Sequence, residues 1–221
     1  MNGPKSYSTE EISVTYDAER CIHAGECTAG LPAVWLNTLR AHDAVRPDDR
    51  AAGAALARHL LAAGHRSLAW FDLHAAWTDM RHYSREHRRD GFIEAARVAG
   101  ATAVAWQPER LPADPAGWTA ERLGGVSAIG CYGENEFHAV LRACAVTGRR
   151  VPEDIAVAGV LCGPLIGAPV DSVGFDLHAL GAAAVAMLLD RIGGERRRPT
   201  VCLPPVLTPG GTVAAPPGAR P

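Results

Sequence analysis

The chain has 221 residues, enough for one sizeable domain or one domain with a small appendage. Its 48% apolar and 21% charged residues suit an ordinary soluble fold, and a net charge of −2 excludes a global basic field that would draw in nucleic acid or an anionic membrane. The opening MNGPKSYSTEEISV has no apolar core of signal-peptide type, and no run approaches the roughly 18 apolar residues that span a bilayer, so a cytoplasmic location without a membrane partner is expected.

In chain order, EISVTYD reads as strand-like and leads into a cysteine-containing turn, so residues 1–40 form a separate small piece. From residue 48 helices and strands alternate. DDRAAGAALARHLLAAGH carries acidic start signals at Asp48 and Asp49, a stripe of Ala52, Leu56, Leu60 and Ala63, and a stop at Gly64. SLAWFDL (67–73) is a short buried strand, residues 84–100 a helix closed by Gly100, and ATAVAW (101–106) the next strand. A Pro-rich connection and a weaker helix around 116–123 precede the strand VSAIGCY (126–132). ENEFHAVLRACAVTG then places Phe137, Val140, Leu141, Cys144 and Ala145 on one helical face. A turn gives way to a strand at 154–160, followed by a Gly- and Pro-rich loop to about 170. The strongest helix, 176–194, has Leu177, Leu180, Ala184, Met187 and Leu188 as its stripe. TVCLPPVLT is expected as one final extended segment, and the tail GGTVAAPPGARP is expected to fray. This alternation predicts an α/β fold, a parallel sheet with helices on both faces.

Catalytic patterns are missing. There is no G-x-G-x-x-G, no G-x-x-x-x-G-K-[ST] and no G-x-S-x-G, so neither a phosphate cradle nor a nucleophile elbow is present. His82 and His87 are five residues apart, on different faces of a helix, and with His74 they read as solvated surface groups. Cys131, Cys144, Cys162 and Cys202 lie singly in apolar segments and read as small buried hydrophobes. The run ERRR (195–198) follows a helix C-terminus, where positive charge suits the macrodipole. A binding module, not an enzyme, is the better reading.

Several segments resemble signature stretches of the LacI/GalR regulator sensor domain, in order and at suitable spacing. They are DDRAAGAALARHLLAAGHRSLAW, RRDGFIEAARVAG, AIGCYGENEFHAVLRACAVTGRRVPEDIAVAGV, and DSVGFDLHALGAAAVAMLLDRIGG with VCLPPVLTPGGTV, about three quarters of the chain. The resemblance implies a periplasmic-binding-protein-like type I lobe and a sugar-like or nucleobase-like effector held at strand ends. Arg88, three residues before Gly91, matches the family's effector-contacting arginine, while Asn135 and Glu136 occupy its Asn-Asp positions at a helix start. Leu161 stands where the family usually has an acidic residue, and Asp72 and Trp77 offer a substitute acceptor and a stacking surface. The signatures begin at the first helix of the C-terminal lobe, so the N-terminal lobe is expected to be largely missing, as is the helix-turn-helix headpiece. DNA is then reached only indirectly. The helix at 176–193 is expected to expose its stripe unless it packs on residues 1–40 or a second chain, which would make a homodimer.

KSYSTEEISVTYDAERCIHAGECTAGLPAVW resembles the first half of a divergent single-cluster 4Fe–4S ferredoxin-like domain through Cys21, His23, Cys27 and Leu31–Pro32. The resemblance implies metal ligation by Cys21, Cys27 and His23. The family's later cysteine segment is absent, and two cysteines fall short of the four ligands a cluster needs, so no cofactor is expected. The resulting division is a partial ferredoxin-like fragment at 1–40, a sensor domain at 41–215 and a disordered tail at 216–221. The function expected is effector sensing for a transcriptional regulator, with an iron–sulfur electron carrier or a non-sensing interaction remnant as alternatives.

Overall fold

The computed structural model describes residues 5–8, 13–16, 32–73, 82–110, 112–161 and 169–218. Two short strands, β1 (Lys5–Ser8) and β2 (Ser13–Tyr16), pair antiparallel as a ribbon. The strands β3 (Trp35–Leu36), β4 (Ala44–Pro47) and β10 (Val201–Leu203) form a small parallel sheet in the order β10-β4-β3. The expected boundary at residue 40 therefore falls between two strands of one sheet.

The larger sheet holds β5 (Ser67–Phe71), β6 (Thr102–Trp106), β7 (Ala128–Cys131), β8 (Ala156–Val160), β9 (Ser172–Gly174) and β11 (Val206–Thr208). Its order is β11-β9-β8-β7-β5-β6, with only the β11 edge antiparallel. Helices α1 (Asp49–Ala62) and α2 (Tyr83–Val98) cover one face. Helices α3 (Pro115–Ala120) and α4 (Glu134–Thr147) cover the other.

Side chains alternate across a strand, so a sheet covered on both faces needs apolar residues at consecutive positions. In β5, Leu68 and Trp70 face α1 and α2, whereas Ala69 and Phe71 face α4. Ala128, Gly130, Ala156 and Ala158 leave room on the first face for the rings of Trp70 and Phe92, whose centroids are 5.3 Å apart. A Cβ on Gly130 would lie 2.4 Å from the Phe92 ring. Where α1 and α2 cross, Gly53 sits against the Arg88 carbonyl and Gly91 against that of Arg50, a reciprocal backbone contact that side chains would prevent.

Helix α5 (Leu177–Ile192) leaves the large sheet after β9 and packs on β4 and β10 of the small one. The expected single segment TVCLPPVLT is two strands in different sheets. Pro204 and Pro205 lack the N–H a ladder requires, so β10 ends in the small sheet and β11 begins in the large one. The tail does not fray at 210–214. The buried Asp171 carboxylate accepts from the Thr212 and Val213 N–H groups at 2.8 and 3.0 Å, and His59 Nε2 lies 2.7 Å from its other oxygen. Val157 N–H donates to the Thr212 carbonyl, and His65 Nε2 donates to that of Ala214 at 2.8 Å. Among the described residues no helix is long and apolar enough to cross a membrane.

Candidate functional site

The chain runs from β5 to β6 on one side and then to β7 on the other side of β5. Open α/β sheets bind ligands in the crevice outside the carboxyl ends of strands where the order reverses in this way. Here that crevice lies beyond Phe71 of β5 and Cys131 of β7, and the N-termini of α2 and α4, which follow those strands, open at the same edge. The Arg88–Asp49 pair brings the first residue of α1 there as well.

Arg88 stands at the centre. Its Nε donates to Asp49 Oδ1 at 2.7 Å and Nη1 to the Tyr132 carbonyl at 3.1 Å. The guanidinium carbon lies 4.8 Å from the Tyr132 ring centroid and 6.0 Å from that of Phe175. Asp49 is fully buried, and its Oδ2 has no hydrogen-bond partner among the described residues. The pair holds the arginine fork in one orientation beside two aromatic rings, a surface suited to hydroxyl or carbonyl oxygens and to flat faces.

A hydrogen-bonded chain crosses from the large sheet toward the small one. Tyr132 Oη and Ser84 Oγ are 2.9 Å apart, and Ser84 Oγ lies 2.7 Å from His82 Nδ1. The same nitrogen accepts from Ser84 N–H as the cap of α2, which leaves Nε2–H to donate to the Asn37 carbonyl at 3.2 Å. Tyr83 Oη donates to Asn37 Oδ1 at 2.9 Å. Asn37, just beyond β3, has φ 50°, a left-handed conformation that asparagine tolerates. His82 is thus a bridge and cap, not the solvated group expected. Burial pushes the Tyr83 phenol up to about 12, the Asp49 charge adds to this, and Arg46 and Arg88 oppose it. At neutral pH Tyr83 is a donor.

Two of the expected site residues are built into the walls. Asp72 is fully buried, and its Oδ2 accepts from Arg85 Nε at 3.1 Å and Gln107 Nε2 at 2.9 Å. Glu136 is the third residue of α4, whose N-cap is Gly133, and Oε1 accepts from the Leu73 N–H at 2.8 Å. Burial raises the Glu136 carboxyl pKa, against backbone donors that include its own N–H and Leu73. Glu136 therefore fastens the end of β5 to the start of α4. Asn135 is exposed on the same turn.

Trp77 and the trio Cys21, His23 and Cys27 lie outside the described residues, as do Cys162 and His74. Among the described residues no group of three or more His, Cys, Asp or Glu side chains is placed to hold a metal ion. Of the expected buried cysteines, Cys131 and Cys144 are buried, and Cys202 is exposed on β10. Burial pushes both buried thiols up, which suits unreactive packing groups. Sequence reasoning missed Asp49, His82, Tyr132 and Phe175 as cleft residues. The acidic first turn of α1 signalled Asp49 only as a helix start.

A largely parallel sheet beside a smaller one, with polar and aromatic side chains at its carboxyl edge, is an arrangement in which open α/β sheets bind ligands. A family model described as a periplasmic binding protein-like domain matches residues 57–213, and the chain belongs to that family. It is 28% identical to the HTH-type transcriptional regulator MalR of Streptomyces coelicolor and 27% identical to the regulator reg1 of Streptomyces lividans. Each match covers 78% of this chain and 52% of the relative, so the chain spans about half the length of the curated relatives it matches. A LacI transcriptional regulator from a Rhodococcus species superimposes with a TM-score of 0.71 at 25% identity, over 86% of this chain and 72% of that one. The fold is also that of a LacI family regulator from Enterococcus faecium with bound ribose, at TM-score 0.71 and 20% identity over 90% of this chain and 76% of that one.

Proposed function

We propose that the chain is the effector-sensing module of a LacI/GalR-type transcriptional regulator acting in the cytoplasm. It takes up a small sugar-like or nucleobase-like molecule at the carboxyl edge of the large sheet and reaches DNA only through a headpiece. The observation that carries this reading is Arg88, held by the buried Asp49 and flanked by Tyr132 and Phe175 at the crevice. Its named bonds use two of the five N–H donors of a guanidinium, and the rest of the fork serves ligand oxygens. Asn135 supplies an amide and Trp77 a stacking face, while Asp72 and Glu136 act as positioning residues. The curated relatives are described as transcriptional regulators, and the Enterococcus relative holds ribose, which supports a polyhydroxylated ligand.

Calorimetry of the full chain against neutral sugars, sugar phosphates and nucleobases tests the reading. At least one class is expected to bind. Arg88→Met is expected to weaken that binding 10- to 100-fold, on the scale of a lost charge-assisted contact, while circular dichroism stays unchanged. Silence of the parent chain across the panel would refute effector sensing by this module.

A further inference from the structure

Strand β6 ends the large sheet, and nothing among the described residues pairs with its outer side. The register with β5 fixes which backbone groups face outward. Thr102 N–H donates to the Arg66 carbonyl at 2.9 Å, and the Trp106 carbonyl accepts from the Asp72 N–H at 3.0 Å. In a parallel pair, alternate residues turn both N–H and C=O toward the same neighbour. Thr102, Val104 and Trp106 therefore serve β5, while Ala103 and Ala105 present their N–H and C=O groups to the outside. Sheet edges are commonly blunted by a charge, a proline or a bulge. β6 reads Thr-Ala-Val-Ala-Trp and has none of these, and its register with β5 is unbroken.

The same two alanines, with Ile93 and Gln107, line a groove of about 520 Å³ between β6 and α2. Their small side chains leave its floor open to incoming side chains. The acids of the groove are already paired: Asp90 with Arg89 at 2.7 Å, and Glu94 with Arg97 at 2.7 Å. The Gln107 amide is held between Arg89 and Asp72. Arg50 also lines the groove, is exposed on the first turn of α1, and makes no ion pair among the described residues.

We infer that β6 and this groove receive an extended segment of a partner protein, added to the sheet as a further strand, with an acidic side chain directed at Arg50. The backbone decides the kind of occupant. Outward donors and acceptors at strand spacing are matched by another extended polypeptide, and a helix has its own backbone groups already bonded. Charge decides the side chain, because the groove offers one guanidinium without a carboxylate. The inference does not rest on effector sensing, since the groove lies on the outer side of β6 and the crevice beyond β5 and β7.

The probe is an acetylated and amidated heptapeptide, Thr-Val-Thr-Asp-Thr-Val-Thr, titrated into the isotope-labelled full chain. Shifts are expected at the Ala103 and Ala105 amides, and four added backbone hydrogen bonds place the affinity at about 1 mM. Two analogues, each N-methylated on alternate residues, separate strand addition from mere contact. One loses the N–H groups that face β6 and is expected to bind at least about 10-fold more weakly, while the other keeps them. Exchange of the peptide's Asp for Lys is expected to weaken binding about 3-fold, and Arg50→Glu to reverse that preference. Ala105→Pro removes an N–H that β5 does not use, and should reduce binding with the far-UV circular dichroism unchanged. No shift at these amides with peptide up to about 5 mM would overturn the inference. So would equal binding of the two methylated analogues, or of the Asp and Lys peptides. Shifts at the same amides with protein concentration alone would give the edge to a second copy of this chain, and would overturn it too.

Discussion

Replacing Gly53 by alanine tests how the candidate site is held. In an ordinary helix interior this change stabilises by about 0.5–1 kcal/mol, because alanine loses less backbone entropy. At Gly53 the new Cβ would stand 1.8 Å from the Arg88 carbonyl oxygen. An ordinary carbon–oxygen contact is about 3.3 Å, so α1 and α2 must part by about 1.5 Å. The obstacle is main chain and cannot rotate away. Overpacking of this kind costs about 1–3 kcal/mol, and here the upper end applies, for a net loss of about 2 kcal/mol after the propensity gain. For a chain of this size that lowers Tm by about 4–8 °C. Because the clash is with Arg88 itself, the Asp49–Arg88 pair is strained too, and any bound effector should be weakened alongside stability. Urea melts of Gly53→Ala beside Gly181→Ala make the comparison internal, since Gly181 has nothing within 4 Å of an added Cβ. Gly181→Ala is expected to be neutral or stabilising. A Gly53→Ala protein as stable as its parent would refute the close helix crossing and the account of how Arg88 is placed.

The Asp171 anchor of the C-terminal segment predicts a loss of about 2–3 kcal/mol for Asp171→Ala, because the Thr212 and Val213 N–H groups lose the carboxylate oxygen that accepts from both; chemical denaturation measures it. Burial pushes the Asp171 carboxyl up, but hydrogen bonds from Gly210, His59 and Thr212 outweigh it and hold the pKa below the usual 3.8. Its contribution is therefore complete above that value and lost as pH falls through the lower folded pKa, an acid slope that Asp171→Asn should lack. Glu136 has the opposite sign. Its carboxyl is raised above 4.5 in the folded chain, so stability declines as pH rises from that value through the folded pKa, and Glu136→Gln should flatten this part of the profile. Iron and sulfide analysis of anaerobically purified protein is expected to find neither, since two cysteines at 21 and 27 do not complete a cluster; a stoichiometric cluster would refute that reading.

Much of the large sheet was legible because burial leaves a period. The helices at 49–62, 83–98, 134–147 and 177–192 were readable to within about two residues from their 3.6-residue stripes and from stops such as Gly64 and Gly148, which adopt positive φ. Strand β9 was not legible, because three residues carry no period and its extended form depends on the edge of β8 beside it. The candidate site was legible only in part. Arg88 could be singled out through a resemblance, but its partner Asp49 lies 39 positions away on another helix. His82 read as a surface group because nothing near it in sequence announces Asn37, 45 positions earlier.

By itself the sequence determined the order and type of the principal elements and the lack of catalytic motifs, because these depend on neighbours within a few residues along the chain. Only the tertiary structure decided which polar groups meet. The Gly53–Gly91 crossing brings α1 against α2 and so joins Asp49 to Arg88. The reversal of strand order puts the ends of β5 and β7 at a switch point of the sheet, and β10 and β11 pair in different sheets. The prolines that separate β10 from β11 are visible in the sequence, but each pairing joins groups that are remote in the chain, and local periodicity holds no record of the partner.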